Sequence, residues 1–136
     1  MKKVLSLLLV LITVFAVVSC SAAEKDVWTD ATYTEDTTVG QGAKSFALEV
    51  KAGEKTVKLT VKTDEETVGA ALRKLGLLEG EIGDFGLYVK KVNGMKADYD
   101  TDGVYWAFYI DGSYALTGVD LTPITDGAVY CFSREK

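Results

Sequence analysis

Residues 86–112 read GLYVKKVNGMKADYDTDGVYWAFYIDG, and this stretch decides how the chain is expected to fold. Two runs within it, 87–92 and 104–110, are rich in β-branched and aromatic residues and therefore predict strands. The pair Asn93-Gly94 between them is typical of a two-residue hairpin turn, and Asp111-Gly112 is a second pair of this kind. The stretch thus predicts successive strands joined by tight turns.

The run 104–110 is apolar on both of its faces. By strand alternation, one face carries Val104, Trp106, Phe108 and Ile110, and the other carries Tyr105, Ala107 and Tyr109. A strand without a polar face is typical of the middle of a sheet, where both sides are covered. We therefore expect this strand to be central, with the Trp106 face in the core.

The rest of the chain predicts the remainder of an α+β domain. Apolar and polar residues alternate on both sides of 52–54, which indicates a half-buried hairpin. Thr63 and Glu66 fit a capping box, and apolar residues then recur at helical spacing as far as Gly76. The glycine-rich run 77–85 is expected to be a loop. The domain would be a mixed sheet of about five or six strands packed on one α-helix, with further strands at 31–38, 113–115 and 128–133.

The N-terminus has the layout of an export signal. Two lysines precede an apolar run at 4–18, which is shorter than the ~20 residues that a membrane-spanning helix needs. The sequence 17–20, VVSC, resembles a bacterial lipoprotein signal, in which Cys20 becomes the lipid-bearing first residue of the mature chain. The small residues at 21–23 also permit cleavage after Ala23 and plain secretion.

These features predict three segments. Residues 1–19 would be a lipoprotein signal peptide, 20–43 a lipid-anchored arm, and 44–136 the binding domain. The protein would lie on the extracellular face of the bacterial membrane and contact that membrane through its anchor only. Because Trp28 is costly to expose, part of the arm is expected to pack on the domain. Cys131, the second of the two cysteines, falls in a predicted strand as a small buried side chain.

Composition argues against several classes of function. The chain contains no histidine, so it lacks the usual general base at neutral pH and the commonest transition-metal ligand. It also has no paired nucleophile and base and no phosphate-binding motif, and we therefore do not expect an enzyme. The net charge of −5 disfavours nucleic acid as a partner.

Three aspartates lie between the two strands of the central stretch. Asp98, Asp100 and Asp102, followed by Gly103, have the spacing of the first half of a calcium-binding loop. The second half is missing, because Tyr109 stands at the position of the bidentate glutamate. Two interpretations follow: a solvated acidic turn, or a weak Ca²⁺ site in a spacer domain.

Several separated motifs resemble one known family. They are Phe85-Gly86-Leu87-Tyr88-Val89, Val92-Asn93-Gly94, Tyr105-Trp106, and Gly118-Val119-Asp120 with Asp126-Gly127. Their order is similar to that of the domain of unknown function 4430 family, which resembles the C-terminal β-domain of transcobalamin and intrinsic factor. The resemblance spans about 44–134 and implies a β-grasp-like fold that binds a soluble small ligand such as cobalamin or another corrinoid.

The resemblance also implies where a ligand would bind. With the aromatic pattern, it places the ligand face on Tyr88, Asn93, Tyr105, Trp106, Tyr109 and Tyr114. Trp106 shares a predicted face with core residues, so a core role for it stays open. The chain lacks the large helical domain of the cobalamin carriers, and a partner protein or a second copy would have to complete the cleft. The alternative is a domain that recognises a cell-surface protein. The ligand's identity and the oligomeric state are left open.

Overall fold

The computed structural model describes residues 26–84 and 86–136. The predicted signal peptide at 1–19 and the predicted lipidation site at Cys20 lie outside these ranges. Within them, none of the helices has the length and apolar character needed to cross a membrane.

Strands dominate the described fold. They are β1 (Thr37–Gly40), β2 (Lys44–Ala52), β3 (Lys55–Thr63), β4 (Leu78–Gly83), β5 (Gly86–Val92), β6 (Met95–Lys96), β7 (Tyr105–Ile110), β8 (Ser113–Tyr114) and β9 (Val129–Glu135). The helices are α1 (Val68–Lys74) and the single turn α2 (Tyr99–Asp102), and 3₁₀ turns span Val27–Asp30 and Val119–Leu121.

The strands form two sheets. The larger one has six strands in the order β1-β3-β2-β9-β7-β8, in which β1 pairs with β3, and β2 with β9, in parallel. The other pairs are antiparallel, so the predicted α+β class with a mixed sheet is confirmed. The smaller sheet, β4-β5-β6, is antiparallel throughout.

The prediction of a single sheet was wrong because the run 77–85 was interpreted as a loop. It contains β4, which pairs with β5 and carries an irregularity at Glu79/Gly80. A side chain at Gly80 would collide with the backbone carbonyl of Tyr88, so the close approach of the two strands requires glycine there. All of β4 after Leu78 is exposed, and the strand therefore has no alternating apolar face to announce it.

The core lies against one face of the larger sheet. The predicted hairpin is confirmed, since Phe46, Leu48 and Val50 of β2 are buried beside Val57, Leu59 and Val61 of β3. Helix α1 adds Val68, Ala71 and Leu72 to the same cluster. These alternating and helical positions account for most of the large side chains that are removed from water.

Strand β7 is not central as predicted; β9 is. The neighbour of β7 on its outer side is the two-residue edge strand β8, which pairs only with Tyr109 and Ile110. Val104 and Trp106 are buried as expected, whereas Phe108 is only half-buried. The apolar character of both faces of β7 therefore reflects its position near an accessible sheet edge instead of complete coverage.

The start of helix α1 also differs from the prediction. Thr67, not Thr63, caps the helix, and its Oγ1 accepts a hydrogen bond from the backbone N–H of Ala70 at 3.2 Å. Thr63 remains paired with Lys44 as the last residue of β3, so it is not free to begin a helix. At the other end, Gly76 has the positive φ of 70° expected of a residue that ends a helix.

The arm at 26–43 contributes to the folded unit. Trp28 is 8% exposed, and its Nε1 donates to the backbone carbonyl of Ala52 at 2.9 Å. The predicted edge strand is present further along, as β1, which places Val39 in the core. The folded unit therefore begins on the N-terminal side of Lys44.

The turn at Asn93-Gly94 fastens the arm to the smaller sheet. The tight turn is confirmed: it joins β5 to β6, with φ of 52° at Asn93 and 83° at Gly94. Asn93 is fully buried; its Oδ1 accepts from the Tyr33 N–H at 2.9 Å and its Nδ2 donates to the Tyr33 carbonyl at 2.8 Å. One amide thus satisfies both polar backbone groups of a residue in the arm.

We expect the substitution Asn93→Ala to lower the free energy of unfolding by about 2–4 kcal/mol. It leaves the Tyr33 backbone groups unsatisfied and forces alanine into the left-handed region. Asn93→Gly is the matched control, because it loses the same hydrogen bonds without the conformational strain. Its free energy of unfolding should be about 1 kcal/mol higher than that of the alanine variant. Urea unfolding measures both. An alanine variant within about 0.5 kcal/mol of the parent would contradict this account.

Candidate functional site

A cleft opens at the outer edge of the larger sheet, between β5, β7 and the chain that follows β8. We call it the edge cleft; its volume is about 220 Å³, and its walls include Leu87, Tyr88, Tyr105, Trp106, Phe108 and Tyr114. Residues in the segment 115–119 close it from the third side. The structure therefore brings together four of the six residues predicted as the ligand face.

The edge cleft is uncharged and borders an apolar surface. Among the residues that the structure describes, none of those lining the cleft carries a formal charge. The lining residues Tyr88 and Tyr114 are at least half exposed, and Leu116, which lies in the chain between the lining residues Ala115 and Thr117, is 98% exposed. Apolar side chains grouped at the surface of a small domain usually mark a place where something binds.

Trp106 serves both the core and the edge cleft. It is 6% exposed, and its Nε1 donates to the backbone carbonyl of Met95 at 3.2 Å. Because the indole N–H is already used, Trp106 offers the cleft only apolar ring surface. The two roles that the sequence left open are therefore compatible.

Tyr105 forms the adjacent part of the wall. Its ring contacts Tyr99 edge-on, with 6.5 Å between the ring centroids. Burial, with smaller contributions from Tyr114 and Glu135, raises the pKa of the Tyr105 phenol. At neutral pH, Tyr105 is thus an uncharged aromatic group that can offer a hydroxyl at the cleft.

Tyr109 does not line the edge cleft. Its hydroxyl donates to Glu135 Oε2 at 2.7 Å on the side of the sheet that faces away from the core, and its ring meets Tyr114 edge-on at 5.6 Å. The hydrogen bond to Glu135, followed by burial, raises the pKa of Tyr109 to about 12. The structure therefore separates Tyr109 from the other predicted ligand residues.

Asn93 also lies away from the edge cleft. Its side chain is buried and bonded to Tyr33, as described above, and it presents no surface to a ligand. Both residues of the Asn93-Gly94 pair have a positive φ, and asparagine and glycine are the residue types that tolerate it best in a two-residue turn. Its role in this fold is structural.

The three aspartates belong to helix α2 and the residue before it. Asp98 caps the helix by accepting from the Asp100 N–H at 3.1 Å, and Gly103 ends it in the left-handed conformation. Residues two apart on a helix point in nearly opposite directions, so Asp100 diverges from Asp102. In the described ranges no group of three His, Cys, Asp or Glu residues is placed to hold a metal ion. The calcium site stays a prediction of the sequence alone.

Sequence reasoning missed the residues that complete the edge cleft. Leu87 and Phe108 looked like ordinary members of strands, Ala115 like the end of a short strand, and the residues from 117 onward like loop. The useful signal was the run Tyr114-Ala115-Leu116, apolar residues that follow a turn without a strand of normal length. Exposing such a run to water is unfavourable, but it has no helical or strand periodicity by which the sequence could identify its position.

Comparison with known proteins supports the predicted relationship. Residues 65–130 match the family model described as Domain of unknown function (DUF4430), so the resemblance found in the sequence is confirmed. No curated protein matches the chain.

Several solved structures are similar to this one, including the following two. A candidate metal-binding protein from Ruminococcus gnavus ATCC 29149 is 26% identical with a TM-score of 0.65, over 69% of this chain and 98% of that chain. Haptocorrin, solved in complex with Cbi, is 19% identical with a TM-score of 0.55, over 72% of this chain. The match covers only 26% of haptocorrin, so it shows a shared fold for that part.

The Tyr109 hydrogen bond gives the fold a measurable dependence on alkaline pH. Because the pKa of Tyr109 is higher in the folded state than its unfolded value of 10.0, the protonated phenol contributes to the free energy of unfolding. This contribution is complete below pH 10.0 and is lost as the pH rises through about 12. Among the seven tyrosines, we expect a late-ionising phenol in the ultraviolet phenolate titration. Glu135→Gln should move that phenol to lower pH, and Tyr109→Phe should remove it. An unchanged titration curve in the Glu135→Gln variant would show that the hydrogen bond does not form.

Proposed function

We propose that this protein binds a small ligand at the edge cleft and catalyses no reaction. The match of residues 65–130 to the DUF4430 family supports this proposal. One observation carries the proposal: Tyr88, Tyr105, Trp106 and Tyr114 come from separate parts of the chain and meet at one uncharged concavity. Aromatic rings that are partly exposed around a concave surface are the usual means of holding a flat, largely apolar molecule.

The size of the edge cleft limits how it can be used. Complete pockets for small molecules usually enclose roughly 300–1,000 Å³. At about 220 Å³, the edge cleft would hold part of such a ligand and leave the remainder uncovered. We therefore propose that another protein or a second copy of the chain covers the exposed side of the ligand.

A corrinoid is the first ligand to test. The haptocorrin structure contains Cbi, and its likeness to this chain supports a shared fold. We also propose that the larger sheet is β-grasp-like, because the β2-β3 hairpin is followed by a helix and the last strand, β9, returns parallel to β2.

The test is titration of the full-length protein with cobinamide and with cobalamin, followed by absorbance and calorimetry. We expect binding that Tyr114→Ala weakens roughly two- to tenfold, the effect of losing one aromatic contact. Leu121→Ala is the matched control, because Leu121 is 66% exposed, against 58% for Tyr114, and is not among the described residues that line the edge cleft. Absence of binding by both corrinoids, or equal losses in the two variants, would contradict the corrinoid proposal.

Recognition of a cell-surface protein is the second candidate. The nearly complete exposure of Leu116, two residues after Tyr114, favours it, because protein interfaces bury apolar residues of this kind at their centre. A partner recovered in stoichiometric amount, whose binding Leu116→Ser weakens without any small molecule present, would favour this candidate. A metal-binding role, the description given to the Ruminococcus gnavus protein, would rest on the three aspartates near α2.

We further propose that the protein is exported and anchored at the extracellular face of the bacterial membrane through lipid on Cys20. The basic and apolar layout of 1–19 and the VVSC sequence support this. Cells fed an alkyne fatty acid should label the parent protein. The Cys20→Ser variant should carry no label, and Cys131→Ser, the matched control, should label normally. Label on the Cys20 variant would contradict the anchor.

A further inference from the structure

A second and larger concavity lies on the face of the larger sheet that points away from the core. We call it the face groove. Its volume is about 540 Å³, and strands β2, β9 and β7 form it with the turn that follows β7. Of the six predicted ligand residues, only Tyr109 lines the face groove. Among the described residues, the face groove and the edge cleft have no lining residue in common.

The shape of the face groove follows from side-chain size. On the outward face of β9, Val129, Cys131 and Ser133 are short and form a floor. In the sheet register, Cys131 is paired with Glu49 of β2 on one side and with Tyr109 of β7 on the other. The longer side chains of the outer two strands therefore stand as walls on either side of a central strand with small residues.

The face groove has an excess of negative charge. Glu49, Asp111 and Glu135 line it, and Lys51 is the one cationic lining residue in the part of the chain that the structure describes. Lys51 and the neighbouring Lys58 approach Glu49 at 3.7 and 3.9 Å, and both lysine side chains are about half exposed. Ion pairs of this length at a surface are weak, so a better-placed cation can replace them.

The aromatic wall has the properties that attract a cation. The Tyr109 hydroxyl donates to Glu135, which places a carboxylate next to the ring and makes the ring more electron-rich. Its edge-on contact with Tyr114 holds the ring in place. A cation over an aromatic face, with a carboxylate nearby, is the arrangement that recognises organic ammonium groups.

The floor supplies an independent indication that the groove accepts a ligand. Cys131 is only 7% exposed, yet its thiol lines the groove and makes no hydrogen bond to any residue in the described ranges. A thiol is only a weak hydrogen-bond donor and acceptor. An alkyl chain that packs on Cys131 would therefore displace no strong hydrogen bond.

We propose that the face groove binds an organic ammonium ion, with the charged head against Tyr109 between Glu49 and Glu135 and the aliphatic part over Cys131 and Val129. The charge excess selects a cation, the aromatic ring selects an alkylated one, and the apolar floor accepts its carbon chain. This site does not depend on the ligand proposed for the edge cleft, because the two concavities open at different places on the sheet.

Choline is the probe, and Cys131 provides the readout. Full-length protein carrying Cys20→Ser, in non-ionic detergent, has Cys131 as its only thiol, and N-ethylmaleimide is an uncharged reagent for it. We expect choline to slow the alkylation of Cys131 severalfold. Dimethylbutanol, the neutral isostere of choline, and sodium chloride at the same concentration should leave the rate unchanged.

Two variants test the assignment of the groove residues. Glu135→Gln keeps the shape of the wall but removes its charge, and it should abolish most of the protection by choline. Glu79→Gln, at an exposed position on the smaller sheet, should keep it. Broadening of the choline methyl signal in nuclear magnetic resonance gives a second readout that does not depend on thiol access. Equal protection by choline and its isostere, or equal broadening with the two variants, would overturn the proposal.

Discussion

The pairing of strand β9 with β2 on one side and β7 on the other is the interaction on which the structure depends. It joins the N-terminal hairpin to the C-terminal strands in a single sheet. On the core face, the ring of Tyr130 meets Phe46 edge-on at 5.2 Å and stacks with Phe108 at 6.2 Å, so both halves pack against one residue. Without β9 the larger sheet would divide into β1-β3-β2 and β7-β8, with no continuous core face and no floor for the face groove.

Local patterns in the sequence predicted the elements that are decided locally. The alternation in β2 and β3 and the tight turn at Asn93-Gly94 are present as expected, because each depends on side-chain period or backbone conformation alone. The smaller sheet escaped prediction because β4 is exposed and held by close backbone approach at Gly80, which leaves no apolar period. Thr63 fitted a helix cap by type and spacing, but pairing with Lys44 in the sheet took precedence.

The candidate sites show a similar division. Aromatic composition drew attention to Tyr88, Tyr105, Trp106 and Tyr114, which the structure brings together at the edge cleft. Alternation along a strand, however, gives only the face on which a side chain lies. It does not show that Tyr109 stands over β9 while Tyr105 reaches a cleft at the sheet edge. Asn93 stood out in the sequence because the turn requires a residue that tolerates positive φ. In the fold, its side-chain amide holds the arm by a hydrogen bond to the Tyr33 carbonyl.

The parallel pairing of β2 with β9 also has a kinetic consequence. Ala47 and Val129 are partners although most of the chain separates them, whereas the β2-β3 hairpin closes over a short turn. Contacts between residues far apart in sequence form slowly, so the hairpin can be complete while the slot between β2 and β7 is still empty. During that interval two strand edges are exposed, and each could pair with the edge of another molecule. The seven residues of β9 thus both complete the sheet and determine how long the nascent chain is open to aggregation.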